Sequence, residues 1–369
     1  MENVLNGFGL TQHQTVLLHN MQIKKTEADI MAEKNGEKRI LKEKWLTEWI
    51  TSLKNGIDKI GFIQYNTIRE LNEAIKEEIA EDSTNLGWYY ITIIECELFV
   101  PYFPVGLEEY DKAFKKLKYN QKGFTGEIIN AHGVISDPNG YMKRISAQYK
   151  KIISKLDKKT LKLALAIVAA AGVTALSGGL AAYFAPAIAV SIFGSSFAGL
   201  SGAALVNACL AMAGGGAIAA GGAGIAGGVA AIAGGGAILG ATIGGTSSAA
   251  TTAIFWKPDY ALTNIAKLEL IIREVFLNVQ HDVKYAQECI RAYKQKIRDM
   301  EDYIEKLQQD VKNNKEDIKN LSKTLEYMKR AYIEINKFCS AFDIGMQSYE
   351  DETEDEGNDT IYLESGDDE

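Results

Sequence analysis

The chain has 369 residues, enough for two or three domains, and a formal net charge of −8. Eleven of its 48 acidic residues lie between Glu350 and the C-terminus, where no Lys or Arg occurs. The rest of the chain therefore has 37 acidic against 40 basic residues and is nearly neutral. No basic stripe is interleaved with aromatic residues, so a nucleic-acid partner is not predicted.

The first 160 residues are predicted to form a helical domain, because apolar residues recur at steps of three and four. Two such runs are Leu46, Trp49, Leu53, Ile57 and Ile60, and Ile68, Leu71, Ile75 and Ile79. The pair Asn55-Gly56 is expected to break or kink the first run. The N-terminus has no basic region followed by an apolar core, so we expect no signal peptide and synthesis in the cytosol.

An aromatic and β-branched segment follows at residues 86–106, with the sequence LGWYYITIIECELFVPYFPVG. It fits a short strand pair, a buried central helix or a patch at a membrane interface. We favour the buried helix, followed by a loop at Pro101 and Pro104. Further on, the sequence SDPNG at residues 136–140 predicts a turn.

The most unusual feature is a block of 94 residues between Lys162 and Lys257 that contains no Asp, Glu, Lys, Arg or His. Twenty of these residues are Gly, and most of the others are small or aliphatic. A soluble domain of this size needs charged side chains on its surface, and a disordered linker is polar. Because about 20 apolar residues cross a bilayer, residues 161–256, which contain this block, are predicted to insert two to four helices into a membrane.

Within the block, Gly residues recur at four-residue steps on two predicted helices. Helices in lipid associate where small residues let their backbones approach closely. We therefore predict helix-packing faces, between passes or between protomers of a homo-oligomer or of related subunits, at Gly224, Gly228, Gly236, Gly240 and Gly244.

Both borders of the block have the residues expected at a membrane interface, which are lysines and aromatic side chains. Lys150, Lys151 and Lys155 precede the N-terminal border. The predicted interface residues are Lys158, Lys159 and Lys162 on the N-terminal side and Phe255, Trp256 and Lys257 on the C-terminal side. Basic residues on both sides favour an even number of passes. A permanent anchor and a segment that inserts only after a trigger fit the block equally well.

Residues 257–345 are predicted to form a long coiled-coil helix, because apolar residues alternate in steps of four and three from Ile272 to Ile335. The polar stretch KNNKED at residues 312–317 allows a hairpin turn instead. We favour one continuous helix, since the apolar phase is unbroken. The acidic residues 346–369 are predicted to be a disordered tail.

No catalytic or cofactor site is predicted. The histidines His13, His19, His132 and His281 have no second metal ligand at a suitable spacing, and the sequence GAGIAG at residues 222–227 lacks the strand and the acidic residue of a dinucleotide site. The cysteines Cys96, Cys209, Cys289 and Cys339 contain no C-x-x-C pair, so we predict reduced thiols. We therefore expect a protein that is not an enzyme and uses no metal or cofactor.

The order of segments from about residue 10 to residue 345 resembles the α-helical pore-forming toxins of the cytolysin A and haemolysin BL type. Long helices flank a central apolar block in both. The resemblance implies a soluble all-α protein, an elongated bundle that releases a hydrophobic hairpin into a bilayer and oligomerises. The longer block and the acidic tail depart from that pattern. The Gly/Ala sequence GLSGAALVNACLAMAGGGAIAAGG also resembles the membrane segments of apolipoprotein L.

Two functions follow as expectations. The first is a membrane-inserting, oligomerising protein that permeabilises a lipid bilayer, either as a toxin or as a cell-death or defence effector. The second is a permanent integral-membrane scaffold whose cytosolic coiled coil recruits a partner. In both cases the protein is made in the cytosol and associates with a membrane.

Overall fold

The structure is a computed structural model, and it describes residues 10–57, 62–81, 83–103, 108–121, 123–157, 197, 199–200, 202–213 and 258–356. These residues form helices and connecting loops, with no β-strand in the ranges just given, which confirms the all-α fold class. The helices are α1 (Gln12–Ala32), α2 (Gly36–Ile57), α3 (Ile68–Glu81), α4 (Gly87–Leu98), α5 (Glu108–Phe114), α6 (Phe124–Asn130), α7 (Pro138–Leu156), α8 (Gly202–Ala213), α9 (Pro258–Ile271), a π-helical segment (Ile272–Val279), α10 (Val283–Gln308) and α11 (Val311–Glu356).

Helix α1 lies at the centre of the N-terminal part and packs against α2, α3, α4 and α6. It begins with a capping box, in which Thr11 Oγ1 accepts from Gln14 N and Gln14 Oε1 accepts from Thr11 N. Leu17, Leu18 and Met21 are almost completely buried. Such a helix has no solvent-facing stripe over much of its length, which explains why its periodicity is weak.

Helix α4 confirms the favoured interpretation of the aromatic segment, because it is buried on nearly every side. A loop follows at residues 99–103, where the Trp45 indole donates to the Phe103 carbonyl at 2.6 Å. Tyr102 has a φ angle of 75°, which is unusual for a residue with a side chain. Its hydroxyl donates to Asp29 inside the core.

One local prediction in the N-terminal part was wrong. Residues 136–140 start helix α7 instead of forming an isolated turn, because Asp137 caps the helix by accepting from Gly140 N at 3.0 Å and Pro138 occupies the first turn. The break or kink expected at Asn55-Gly56 stays a prediction, because α2 ends at Ile57 and residues 58–61 lie outside the described residues. Asp, Pro and Gly mark helix ends as well as turns, so the sequence pattern alone does not separate the two.

The prediction of one continuous helix over residues 257–345 was also wrong. The chain changes direction after the π-helical segment, where His281 has a φ angle of 52°, and again at residues 309–310. Helices α10 and α11 pack side by side, with Lys329 Nζ 2.5 Å from Glu301 Oε1 and the rings of His281 and Phe342 stacked at 5.9 Å. The polar stretch at 312–317 lies in the first turns of α11, where Asp310 accepts from Asn313 N.

Helix α11 continues to Glu356, so residues 346–356 are helical where the composition predicted a disordered tail. Adding residues to an existing helix costs much less than starting a new one. The acidic residues therefore extend a helix that is already held by packing upstream. Residues 357–369 lie outside the described residues.

Helix α9 forms the core of the C-terminal part and packs against α7 and α11. Residues 261–272 are buried without interruption, including the charged side chains of Lys267 and Glu269. The helix follows directly after the uncharged block in sequence. The core of the molecule and the C-terminal border of the block are therefore joined within a few residues.

Candidate functional site at the ends of the uncharged block

The residues that the sequence predicts at the membrane lie outside the described residues. These are the packing positions Gly224, Gly228, Gly236, Gly240 and Gly244 and the interface positions Lys158, Lys159, Lys162, Phe255, Trp256 and Lys257. Within the block the structure describes α8, a helix of 12 residues whose side chains of Leu205 and Cys209 are buried. Among the described helices, none combines the length and the apolar character needed to cross a bilayer.

The two helices that join the block to the rest of the chain pack directly on each other. Helix α7 ends at Leu156 and helix α9 begins at Pro258. The Tyr149 hydroxyl donates to the Thr263 carbonyl at 3.3 Å, which links the helices seven residues before one end and five residues after the other. The block therefore leaves and returns to a single helical body.

The last turn of α7 is held by side chains of α11, and we call this set the α7 clamp. It consists of Lys155, Asp157, Tyr327, Arg330 and Glu334. Arg330 donates to the Leu156 carbonyl at 2.8 Å, the Tyr327 hydroxyl donates to the Asp157 carboxylate, and Lys155 forms a salt bridge with Glu334. Because the last carbonyls of a helix have no partner within it, these contacts complete the end of α7.

The helices behind the clamp carry charged groups in the core. Lys267 on α9 forms a salt bridge of 2.7 Å with Glu95 on α4, and each side chain is 2% exposed. In the adjoining π-helical segment, Arg273 Nη2 lies 2.6 Å from Glu269 Oε1 of α9 and 3.9 Å from Glu334 of the clamp. Burying one charge without its partner is strongly unfavourable, so these pairs fix α9 against α4 and α11.

The pKa of the Glu269 carboxyl is raised to about 7 by burial, and the nearby Arg273 guanidinium offsets part of this effect. The group is therefore partly protonated near neutral pH. Glu334 shows the opposite behaviour, since its salt bridge with Lys155 lowers the pKa of its carboxyl. The sequence did not indicate these roles, because a charged residue looks the same on a solvent-facing turn and in a buried pair.

A second buried polar cluster lies in the N-terminal part around Asp29, which is 1% exposed. Its carboxylate accepts from Lys42 Nζ at 2.7 Å, from the Tyr102 hydroxyl, and from the backbone amides of Asn120 and Gln121 at 2.7 and 3.1 Å. Both oxygens are occupied by these donors. We therefore interpret the cluster as structural: its hydrogen bonds connect α1 with α2 and with two loops.

The histidines do not form a common site. His132 lies between the Tyr89 hydroxyl at 2.9 Å and Asn72 Oδ1 at 3.1 Å, and burial lowers its pKa to about 4. His19 contacts Gln22 on the same helix, and burial lowers its pKa to about 4 as well. Both rings are neutral at pH 7. Within the described ranges, no group of three His, Cys, Asp or Glu residues is arranged to hold a metal ion.

All four cysteines are buried, and none of them forms a disulfide bond. Burial raises the pKa of the Cys96 thiol to about 11, and it raises the pKa of the Cys289 thiol as well. Thiols with a raised pKa have little thiolate at pH 7 and react slowly. Their burial and the lack of disulfide bonds agree with the prediction of reduced thiols.

No known protein family, curated protein sequence or solved structure matches the chain. The resemblance to helical pore-forming toxins therefore remains a prediction from the order of segments.

Proposed function

We propose that the protein inserts its uncharged block into a lipid bilayer, oligomerises there and permeabilises the membrane. The observation that carries this proposal is the run of 94 residues without a charged or histidine side chain. Lipid is the solvent in which such a run lowers its free energy, because the apolar side chains leave water and no charge enters the hydrocarbon. The helical body supports the proposal, since it forms a core from the segments on both sides of the block.

In this proposal the block enters and permeabilises the bilayer, and the helical body is the scaffold that holds its two ends. The block partitions between a state packed near the body and a state in the bilayer, and the difference in burial of apolar surface sets the balance. The Gly faces at 224–228 and 236–244 pack helices against each other once they are in lipid. The α7 clamp and the buried pairs of α9 keep the two ends of the block together while the block changes its environment.

The second candidate is a permanent membrane scaffold whose α10–α11 hairpin recruits a partner in the cytosol. The observation that favours it is the exposed apolar surface of α11. Val311, at the tip of the hairpin, is 54% exposed, and Ile333 is 61% exposed. Single exposed apolar residues are common on monomeric proteins, so this observation carries less weight than the block.

Fractionation and dye release separate the two functions. The full chain is expressed, and the soluble and membrane fractions are compared before and after incubation with dye-loaded liposomes. The proposed function predicts soluble protein that releases the dye. Protein that is found only in the membrane pellet and leaves liposomes intact would support the scaffold and contradict permeabilisation.

A further inference from the structure

Helix α7 differs from its neighbours in having basic residues and no acidic residue. Its 19 residues include five basic side chains, all of them exposed, and we call them the α7 basic face: Lys143, Arg144, Lys150, Lys151 and Lys155. Successive members are one, six, one and four residues apart, so they lie along one side of the helix. The face is about 18 Å long at a rise of 1.5 Å per residue.

The opposite side of α7 holds the helix rigidly in the body. Ile145, Tyr149, Ile152 and Leu156 are almost completely buried. The α7 clamp fixes the last turn, as described above. The basic face is therefore displayed on an anchored helix instead of a loose segment.

Two of the five charges are balanced by acidic groups of the body. Arg144 forms a salt bridge of 3.1 Å with Glu274, and Lys155 pairs with Glu334. Lys143, Lys150 and Lys151 are exposed and form no salt bridge with any residue that the structure describes. Two further acidic residues lie at α7: Glu97, which accepts from Ser146, and Asp157, which follows the last residue of the helix. Three positive charges consequently face the solvent next to the uncharged block.

We propose that the α7 basic face docks the body onto anionic lipid headgroups. This inference rests on the proposed function, and it names the class of membrane that the protein recognises. Clusters of lysines beside a membrane-inserting segment are attracted to the negative surface of anionic bilayers. The face ends at Lys155, fewer than ten residues before the uncharged block in sequence, so docking by α7 would bring the start of the block close to the bilayer surface.

A lipid surface fits this face better than a nucleic acid does. The lysines spread over about 140° of the circumference of the helix, and no exposed aromatic side chain lies between them for base stacking. A planar surface can contact this side of the helix along its whole length. Further lysines follow in sequence at Lys158, Lys159 and Lys162, at the border of the block.

The test compares two triple variants of the full chain in sedimentation with vesicles. Lys143→Gln/Lys150→Gln/Lys151→Gln removes the unpaired charges of the α7 basic face. The matched control, Lys312→Gln/Lys315→Gln/Lys319→Gln, removes three exposed charges from the first turns of α11. Each protein is mixed with phosphatidylcholine vesicles and with vesicles that also contain phosphatidylserine, at low and high salt, and a thermal melt checks that each variant is folded.

We expect the native chain and the control to bind the phosphatidylserine vesicles more tightly than the neutral ones. The α7 variant should lose about fivefold in affinity for each lysine, or roughly a hundredfold in total. High salt should reduce binding of the native chain, because it screens exposed charges. Undiminished binding of the α7 variant, or an equal loss in both triple variants, would overturn the proposal.

Dye release measured on the same samples separates this inference from the proposed function. Binding that depends on the α7 basic face without any dye release would support docking and contradict permeabilisation. Dye release that is equal from both kinds of vesicle and unaffected by the α7 variant would support permeabilisation and contradict docking. Double-stranded DNA serves as a further probe: if the α7 variant loses DNA binding and keeps vesicle binding, the face recognises nucleic acid and the proposal is wrong.

Discussion

Lys267 and Glu95 illustrate how single residues hold the body together. Their salt bridge joins α9 to α4 in a place where neither side chain reaches the solvent. From the sequence we favoured a buried helix for residues 86–106 and predicted a long helix over residues 257–345. The sequence did not predict the pair, because the two residues are 172 positions apart and only the fold brings them together.

Removing one partner of this pair should destabilise the body strongly. We expect Lys267→Met to lower the free energy of unfolding by about 3–5 kcal/mol, because Glu95 is left buried without its counter-charge. The double variant Lys267→Met/Glu95→Met should recover most of this loss, since both charges are then gone. Denaturant unfolding measures both effects.

The control for this prediction is Lys284→Met, which changes an exposed lysine at the start of α10. It should alter the free energy of unfolding by less than about 0.5 kcal/mol. A single variant that is as stable as the native chain would show that the pair contributes little. A double variant that is no more stable than Lys267→Met would show that the loss comes from packing instead of charge.

Glu269 should make stability depend on pH. Its folded-state pKa of about 7 lies above the ordinary value of 4.5, so the folded body prefers the protonated form. The corresponding stabilisation is fully present below pH 4.5 and is lost as the pH rises through 7. We expect Glu269→Gln to reduce the decrease in melting temperature between pH 6 and pH 8, because Gln stays neutral.

An exposed carboxylate provides the comparison for Glu269. Glu305→Gln on α10 should leave the pH dependence between pH 6 and pH 8 as it is in the native chain, since Glu305 faces the solvent. Thermal melts at several pH values measure both variants. Equal pH dependence in the native chain and in Glu269→Gln would contradict the raised pKa.

At the scale of elements, the outcome for α10 and α11 shows what a heptad pattern can predict. From the steps of four and three we predicted one continuous helix, whereas α10 and α11 are two helices that bury a shared apolar side. The same pattern is typical of one coiled-coil helix and of two helices that pack on each other, since both bury the same stripe. Here the chain forms two helices because it turns at residues 309–310. The apolar steps continue across this turn in sequence, so the pattern does not reveal it.

The Gly faces of the block remain a prediction at the same scale. We expect Gly224→Leu/Gly228→Leu to reduce oligomer formation and dye release in liposomes, because the larger side chains separate helices that pack through small residues. Cross-linking in liposomes followed by gel electrophoresis measures the oligomers. The matched control is Ala223→Leu/Gly227→Leu, which adds the same bulk one position away on the helix.

The comparison tests which side of the predicted helix forms the contact, because the two pairs of substitutions lie on different sides. A stronger loss for the control pair than for the 224–228 pair would place the packing surface on a different side. Unchanged oligomers and unchanged leakage in both would show that neither side is a contact.

At the scale of the whole molecule, the sequence predicted an all-α protein in which helices surround an uncharged block, and the described residues confirm the helical part. The sequence did not predict that α7 and α9 pack together, since they are separated by about a hundred residues of different composition. It also did not predict the α7 clamp, which depends on the return of α11 to the end of α7. Contacts between distant segments are set by the three-dimensional packing, and a local pattern contains no information about them.

The central claim is that the uncharged block enters lipid, and quenching of a fluorophore tests it most directly. A cysteine introduced by Ala233→Cys is labelled in the otherwise native chain, where the buried Cys96 and Cys289 react slowly because their pKa is raised. The control label is placed at Thr47→Cys, on the exposed side of α2 and away from the α7 basic face. After liposomes are added, we predict that quenchers attached to lipid chains reduce the signal at position 233 and leave position 47 unchanged. A label at position 233 that stays as accessible to a water-soluble quencher with liposomes as without them would contradict the account.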